Sequence, residues 1–170
     1  DRPDVLSQWR VRIEAPRSSC PVLLSNGNPI AADAVGADRQ SVTWDDPFPK
    51  PSYLFALVAG DLREIRDSYT TSSGRDVALR LHVEAGDEAF TGHAMASLKR
   101  SMAWDESVYN LEYDLDEYNI VAVRHFNMGA MENKGLNVFN SKYVLARVDT
   151  ATRQTAAGEL RGDGCGILVM

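Results

Sequence analysis

The chain has 170 residues, 24 acidic against 18 basic, a formal net charge of −6, and 44% apolar and 25% charged residues, the balance of an ordinary soluble globular protein. No apolar run approaches the ~18 residues that a membrane span needs, and an acidic chain without a Lys/Arg cluster is a poor partner for nucleic acid. The two cysteines, Cys20 and Cys165, make neither a disulfide framework nor a zinc ribbon, which suits a reducing, cytoplasmic setting.

Residue 1 is Asp, and no basic segment leads into an apolar one near the start. The expectation is a piece of something longer, holding one domain or two partial ones. All seven prolines lie within residues 1–51, which marks a β-rich, turn-rich first part joined to a different second part. Residues 9–14 alternate strictly, with Trp9, Val11 and Ile13 facing one way and Arg10, Arg12 and Glu14 the other. This is the period of a half-buried strand. Val22, Leu23 and Leu24 form a short apolar run that ends in Ser25-Asn26-Gly27-Asn28, and Asn-Gly is the strongest short-range hairpin signal. Residues 40–45 alternate again, with Val42 and Trp44 on the buried side. The prolines of Asp46-Pro47-Phe48-Pro49-Lys50-Pro51 cannot join a sheet interior and predict a rigid extended connector. Residues 53–59 are continuously apolar and fit a strand buried on both faces, or a short buried helix. Gly60-Asp61 ends this run and places a domain boundary near residue 62.

The second part opens with a predicted hairpin: residues 62–70, a Ser72-Ser73-Gly74 turn, then Val77, Leu79, Leu81 and Val83 alternating with Ala78, Arg80, His82 and Glu84. Asp87 is placed to cap a helix running to about residue 104, with Phe90, Ala94, Leu98 and Met102 along one stripe. Residues 105–117 hold six acids and no base and read as a solvated, acidic helix end and loop. Residues 119–124 and 136–145 read as strands. From residue 153 the pattern dissolves into a glycine-rich tail without clear period.

Between those last two strands lies Phe126-Asn127-Met128-Gly129-Ala130-Met131-Glu132-Asn133-Lys134-Gly135. Two glycines there allow a close backbone approach. A glutamate between them is either a solvated loop acid or a functional carboxylate.

Gly129-Ala130-Met131-Glu132-Asn133 matches the Gly-Ala-Met-Glu-Asn exopeptidase motif of the gluzincin zinc aminopeptidases, the family of aminopeptidase N. The flanking residues 127–128 and 134–146, with Asp46-Pro47-Phe48-Pro49-Lys50-Pro51, residues 53–60, residues 111–116 and the opening Asp1-Arg2-Pro3-Asp4-Val5-Leu6, resemble the bacterial alanyl aminopeptidase branch. The similarity runs from residue 1 to about 152. It implies a mainly β, α+β chain. Residues 1–61 would end an N-terminal β-sandwich-like domain. Residues 62–152 would begin a thermolysin-like catalytic domain of mixed sheet plus one helix, and residues 153–170 form a divergent tail, frameshifted or disordered. It further implies removal of N-terminal residues, alanine-type in preference, from peptides. Glu132 would contact the α-ammonium through a charge-assisted hydrogen bond, the backbone of Gly129 and Ala130 would lie along the substrate, and Met128 would line the first side-chain pocket. Asn133 is carried over as a motif residue without an assigned direct role.

The same resemblance implies zinc held by His-Glu-x-x-His on a helix, with the intervening Glu as general base. That motif is expected beyond residue 152, and the 170 residues do not spell it. The only histidines are His82, His93 and His125. His82 is expected solvated on a polar strand face, His93 at a surface or core edge, and His125 beside the substrate loop. None is assigned to a metal. The expectation is an inactive, monomeric segment that binds free peptide N-termini, carries no catalytic residue and holds no zinc. The alternatives are a non-catalytic peptide-binding module and an unstable gene remnant.

Overall fold

The alternating residues 9–14 form the middle of strand β1 (Ser7–Pro16) in a computed structural model that describes residues 2–146. The expected tail from residue 153 lies outside the described residues. β1 pairs antiparallel with β4 (Arg39–Lys50), and β4 with β3 (Asn28–Val35), giving a three-stranded sheet in the order β1-β4-β3. A separate ribbon pairs β2 (Val22–Ser25) with β5 (Leu57–Gly60). The largest sheet is mixed and five-stranded. Its order is β6-β7-β8-β10-β9, built from β6 (Arg63–Thr70), β7 (Asp76–Val83), β8 (Glu117–Val123), β9 (Ala130–Met131) and β10 (Leu136–Asn140). The β6–β7 hairpin is antiparallel, β7–β8 and β8–β10 are parallel, and one helix, α1 (Gly92–Tyr109), crosses over. Across the described residues the fold is mainly β with mixed sheet and one helix, as the resemblance implied.

Side-chain parity divides this sheet into two faces. Val77, Leu79, Leu81 and Val83 of β7, with Tyr118 and Ile120 of β8, pack under Ala94, Leu98 and Met102 of α1. The predicted i, i+4 stripe is therefore the buried face of the helix. On the other side, Val121 and Leu136 join Ile13, Leu23, Leu24 and Trp44 in a second core. The five-stranded sheet is thus a middle layer, covered by the helix on one face and by the first β segment on the other.

That second cover corrects the reading of His82. It lies on the polar face of β7, yet it is only 2% exposed, and its Nε2 is 3.1 Å from the Asn119 side-chain oxygen on β8. Strand alternation separates two faces but does not say that either meets water. Burial lowers the pKa of His82, against a smaller raising effect of the Asn119 bond. A histidine whose folded pKa lies below its unfolded value binds fewer protons when folded. Stability then falls as pH drops below about 6.5, with a slope of up to about 1.4 kcal/mol per pH unit. The expected result is that His82→Gln flattens the fall in thermal midpoint between pH 7 and pH 5. An unchanged slope would mean that other groups carry it.

Several local expectations change. The Asn26-Gly27 step is not a hairpin turn, because β2 pairs with β5 and β3 with β4. It is a corner between two sheets, held by side chains rather than by pairing of its flanks. Pro47 and Pro49 lie inside β4 instead of a connector. β3 pairs only up to Asp45, and the register against β1 shifts between Ser7 and Trp9, so these two positions need no ladder donor. Residues 53–59 are not a strand buried on both faces: they give a 3-10 turn (Ser52–Leu54) and β5, with Tyr53 59% and Leu57 49% exposed. A strand in a two-stranded ribbon has one covered side. Asp87 does not cap α1. A 3-10 turn (Glu88–Phe90) intervenes, Thr91 takes the N-cap position, and the fully buried Asp87 carboxylate meets Arg124 at 2.9 Å.

The helix also runs further than expected, to Tyr109, and stops at Asn110 in a left-handed conformation (φ 54°). The acids beyond residue 104 are not merely solvated. Glu106 accepts from the Tyr69 hydroxyl at 2.9 Å, and Glu112 accepts from Ser72 Oγ at 2.6 Å and the Ser73 N–H at 2.7 Å. The hydroxyls of Ser72 and Ser73, the latter donating from Oγ at 2.7 Å, pull the Glu112 pKa down to about 2. Finally, residues 136–145 are not one strand. β10 ends at Asn140, whose side chain accepts from the Lys142 N–H and starts a 3-10 turn (Ser141–Tyr143).

Candidate functional site

The connection from β8 to β10 carries the Gly129–Asn133 motif, and its shape follows from where its backbone bonds go. On entry, the Phe126 carbonyl accepts from Asn140 Nδ2 at 2.8 Å, and the Gly129 carbonyl accepts from the Asn140 N–H at 3.0 Å. Ala130 and Met131 then pair antiparallel with Phe139 and Val138 as β9. Among the described residues β9 is the last strand of its sheet, so one edge of its backbone is bonded and the other is left open by them. On exit, the Asn133 carbonyl accepts from the Leu136 N–H at 2.9 Å, and Gly135 (φ +80°) passes its carbonyl to the Asn119 N–H at 3.1 Å.

Lys134 fastens the exit. Its ammonium meets Asp114 at 2.8 Å and lies 3.6 Å from the centroid of the Phe48 ring, while its carbonyl accepts from Asn26 Nδ2 at 3.1 Å. A cation held both by a carboxylate and by a ring face is well restrained. Next to it, a Cβ on Gly135 would stand 3.0 Å from Leu115 and 3.3 Å from the backbone nitrogen of Gly27. Only glycine suits both the left-handed backbone and this close approach.

Of the five predicted site residues, four are presented together. Met128 is 59% exposed, and Gly129, Ala130 and Glu132 are exposed beside it. Asn133 is separated from them by burial, with its side-chain oxygen unpartnered among the described residues. Glu132 makes no hydrogen bond or ion pair with any described residue. Among the described residues it is an unpaired carboxylate on a loop whose two ends are pinned. A fixed anion beside an open strand edge can do two things: pair with a cation, and orient an extended peptide bound along that edge.

The sequence reading missed the anchors. Asn26 looked like a turn residue, Asn140 like a mid-strand polar residue, and Arg124 like a strand end. Asn26 and Arg124 act through partners distant in sequence, so no local signal pointed to them.

The histidines do not converge on this loop. His82 is buried against Asn119, His93 lies on α1 near Ser97 Oγ at 3.4 Å, and His125 is exposed after Arg124. Among the described residues no three His, Cys, Asp or Glu side chains gather as a metal site. The donor set described does not fit zinc.

The Peptidase family M1 domain matches residues 93–159. Aminopeptidase N of Escherichia coli K12 is 61% identical over 152 residues, and that of Caulobacter vibrioides is 59% identical over the same length. By these matches the chain resembles the M1 aminopeptidases. Each match covers 89% of the chain, which spans only 18% of the length of these relatives. Among solved structures, Legionella pneumophila aminopeptidase A in complex with aspartic acid superposes with a TM-score of 0.84. It is 41% identical and covers 89% of this chain and 18% of its own. The M1 match takes in the whole loop from Arg124 to Gly135, and so the open strand edge and Glu132.

Proposed function

We propose that this chain carries the substrate-amine recognition segment of an M1 aminopeptidase, an enzyme that releases N-terminal residues, with an alanine-type preference, from peptides in the cytoplasm. The observation that supports it is Glu132: exposed, unpartnered among the described residues, and fixed in place by bonded backbone on both sides. A peptide entering along the outer edge of β9 adds a strand to the sheet through the backbone of Gly129 and Ala130. Its α-ammonium meets the Glu132 carboxylate, and its first side chain rests on Met128. A blocked amine forfeits the charge-assisted bond and leaves the carboxylate to be desolvated without a partner, which is how a free N-terminus is preferred. Asn133 supports the loop from below. Residues 1–61 are read as the end of an N-terminal β domain and residues 62–152 as the beginning of the catalytic domain.

Zinc serves the family's hydrolysis. The described residues do not offer it a site, so no chemical step is assigned to them. The same donor set favours a second reading of the 170 residues taken alone, as a monomeric module that binds peptide N-termini without cleaving them.

The test compares tri-alanine amide with its N-acetyl form by titration calorimetry against the 170-residue chain. A charge-assisted bond contributes about 1.5–3 kcal/mol, so the free amine should bind roughly 10- to 100-fold more tightly. Glu132→Gln should bring the two affinities together. Equal affinities in the unaltered chain would overturn the proposal.

A further inference from the structure

The corner Ser25-Asn26-Gly27-Asn28 is a joint. Its side chains reach three other parts of the chain. Ser25 Oγ donates to the Ala56 carbonyl at 2.9 Å. Asn26 accepts from the Ala56 N–H at 2.7 Å and donates to the Lys134 carbonyl at 3.1 Å. Asn28 exchanges two bonds with Asp116, at 3.0 and 2.9 Å. Gly27 and Gly135 stack backbone on backbone, each in the left-handed region. Asn26 is buried, and both ends of its amide are used. One end is tied to the first β segment, and the other holds the residue two places after Glu132.

From this we infer that Asn26 is a positioning residue for Glu132: the first β segment sets the exit of the amine-binding loop from outside the loop's own sheet. This rests on the reading of Glu132 given above. The loop's entry is fixed from within the sheet by Asn140, and at its exit Asn26 bonds the Lys134 carbonyl while Asp114 and the Phe48 ring hold the Lys134 ammonium, so Asn26 shares in setting the height and tilt of residues 132–134 over the outer edge of β9. A carboxylate displaced on the order of an ångström from the ammonium loses much of an interaction that depends on geometry.

Asn26→Asp tests this with almost no change of volume. The aspartate still accepts from the Ala56 N–H, but it turns an acceptor toward the Lys134 carbonyl. The expected result is about a tenfold weaker binding of tri-alanine amide with unchanged binding of the N-acetyl form. Asn26→Ser, uncharged and too short to reach both partners, should move the same ratio in the same direction if the aspartate does not fold. Val77→Ala, in the core under α1, lowers the thermal midpoint and should leave the ratio as it is, which a merely structural role for Asn26 would not distinguish from its own variants. If Asn26→Asp keeps the full amine preference while Glu132→Gln abolishes it, the inference fails alone. If Glu132→Gln itself keeps the preference, the amine reading beneath it has failed.

Discussion

Replacing Gly27 with alanine is expected to destabilise the chain by about 2–5 kcal/mol, the sum of a left-handed backbone penalty of roughly 1–2 kcal/mol and an overpacking term of about 1–3 kcal/mol. The φ of Gly27 is +87°, and a Cβ there would stand 2.2 Å from the Asp45 carbonyl oxygen and 2.6 Å from the Asp46 Cα. Those are backbone atoms in a strand paired on one side with β1, so they cannot step aside as a side-chain tip would. Gly36 supplies the comparison. It also has a positive φ, +67°, but nothing lies within 4 Å of its would-be Cβ. Gly36→Ala should therefore cost only the backbone part, about 1–2 kcal/mol. Urea unfolding of the two variants separates conformation from contact. Equal shifts in midpoint would show that Gly27 has no steric role.

The second large effect concerns the ion pair of Asp46 and Lys50, both buried on the same stretch of β4. Asp46 also accepts from the Phe48 N–H at 3.1 Å, so its carboxylate is placed by the strand itself. Removing one partner of a buried pair leaves an uncompensated charge and costs about 3–5 kcal/mol, whereas replacing both by apolar groups of similar volume is often close to neutral. Asp46→Asn is expected to lose that amount, and the double variant Asp46→Leu with Lys50→Met to regain most of it. The pH dependence gives a further check. Burial, reinforced by the nearby charge of Lys134, pulls the Lys50 pKa down to about 8. Between about pH 8 and 10.5 the unfolded chain therefore holds more protons at Lys50 than the folded one, and stability rises with pH. The double variant, which lacks the ammonium, should lose that rise. An unchanged rise would mean that other groups carry it.

Where the sequence was informative, one element's own pattern sufficed. The alternation of Val77, Leu79, Leu81 and Val83, and the stripe of Ala94, Leu98 and Met102, gave the right elements and the right buried faces because each packs against one neighbour through one periodicity. Strand β3 was not legible: Asn28–Val35 is almost wholly exposed and carries no alternation for a core to impose. His82 was misread because its face is covered by a segment some sixty positions earlier, and coverage of that kind leaves no trace in the strand itself. The Asn26-Gly27 step shows the same limit at the site. Its residues have the chemistry of a turn, and that chemistry is used: a left-handed glycine, and an amide that satisfies backbone groups. The partners are residues 56 and 134 instead of the flanking strands. The loop carrying Glu132 was recognisable from its motif, but what holds that loop was not, since the motif spells the contacts to a ligand and not the supports beneath.

The bond from Asn26 to Lys134 joins positions 108 apart in sequence, and that separation has a meaning in time. Closing so long a segment forfeits chain entropy before any contact repays it. The β6–β7 hairpin needs only a short turn, so it forms early, while the exit of the Glu132 loop is settled only when the corner at residues 25–28 docks against residue 134. On a ribosome the corner emerges long before the residue it must hold, and its amide stays in water until then. The geometry around Glu132 is therefore among the last to be completed as the chain folds.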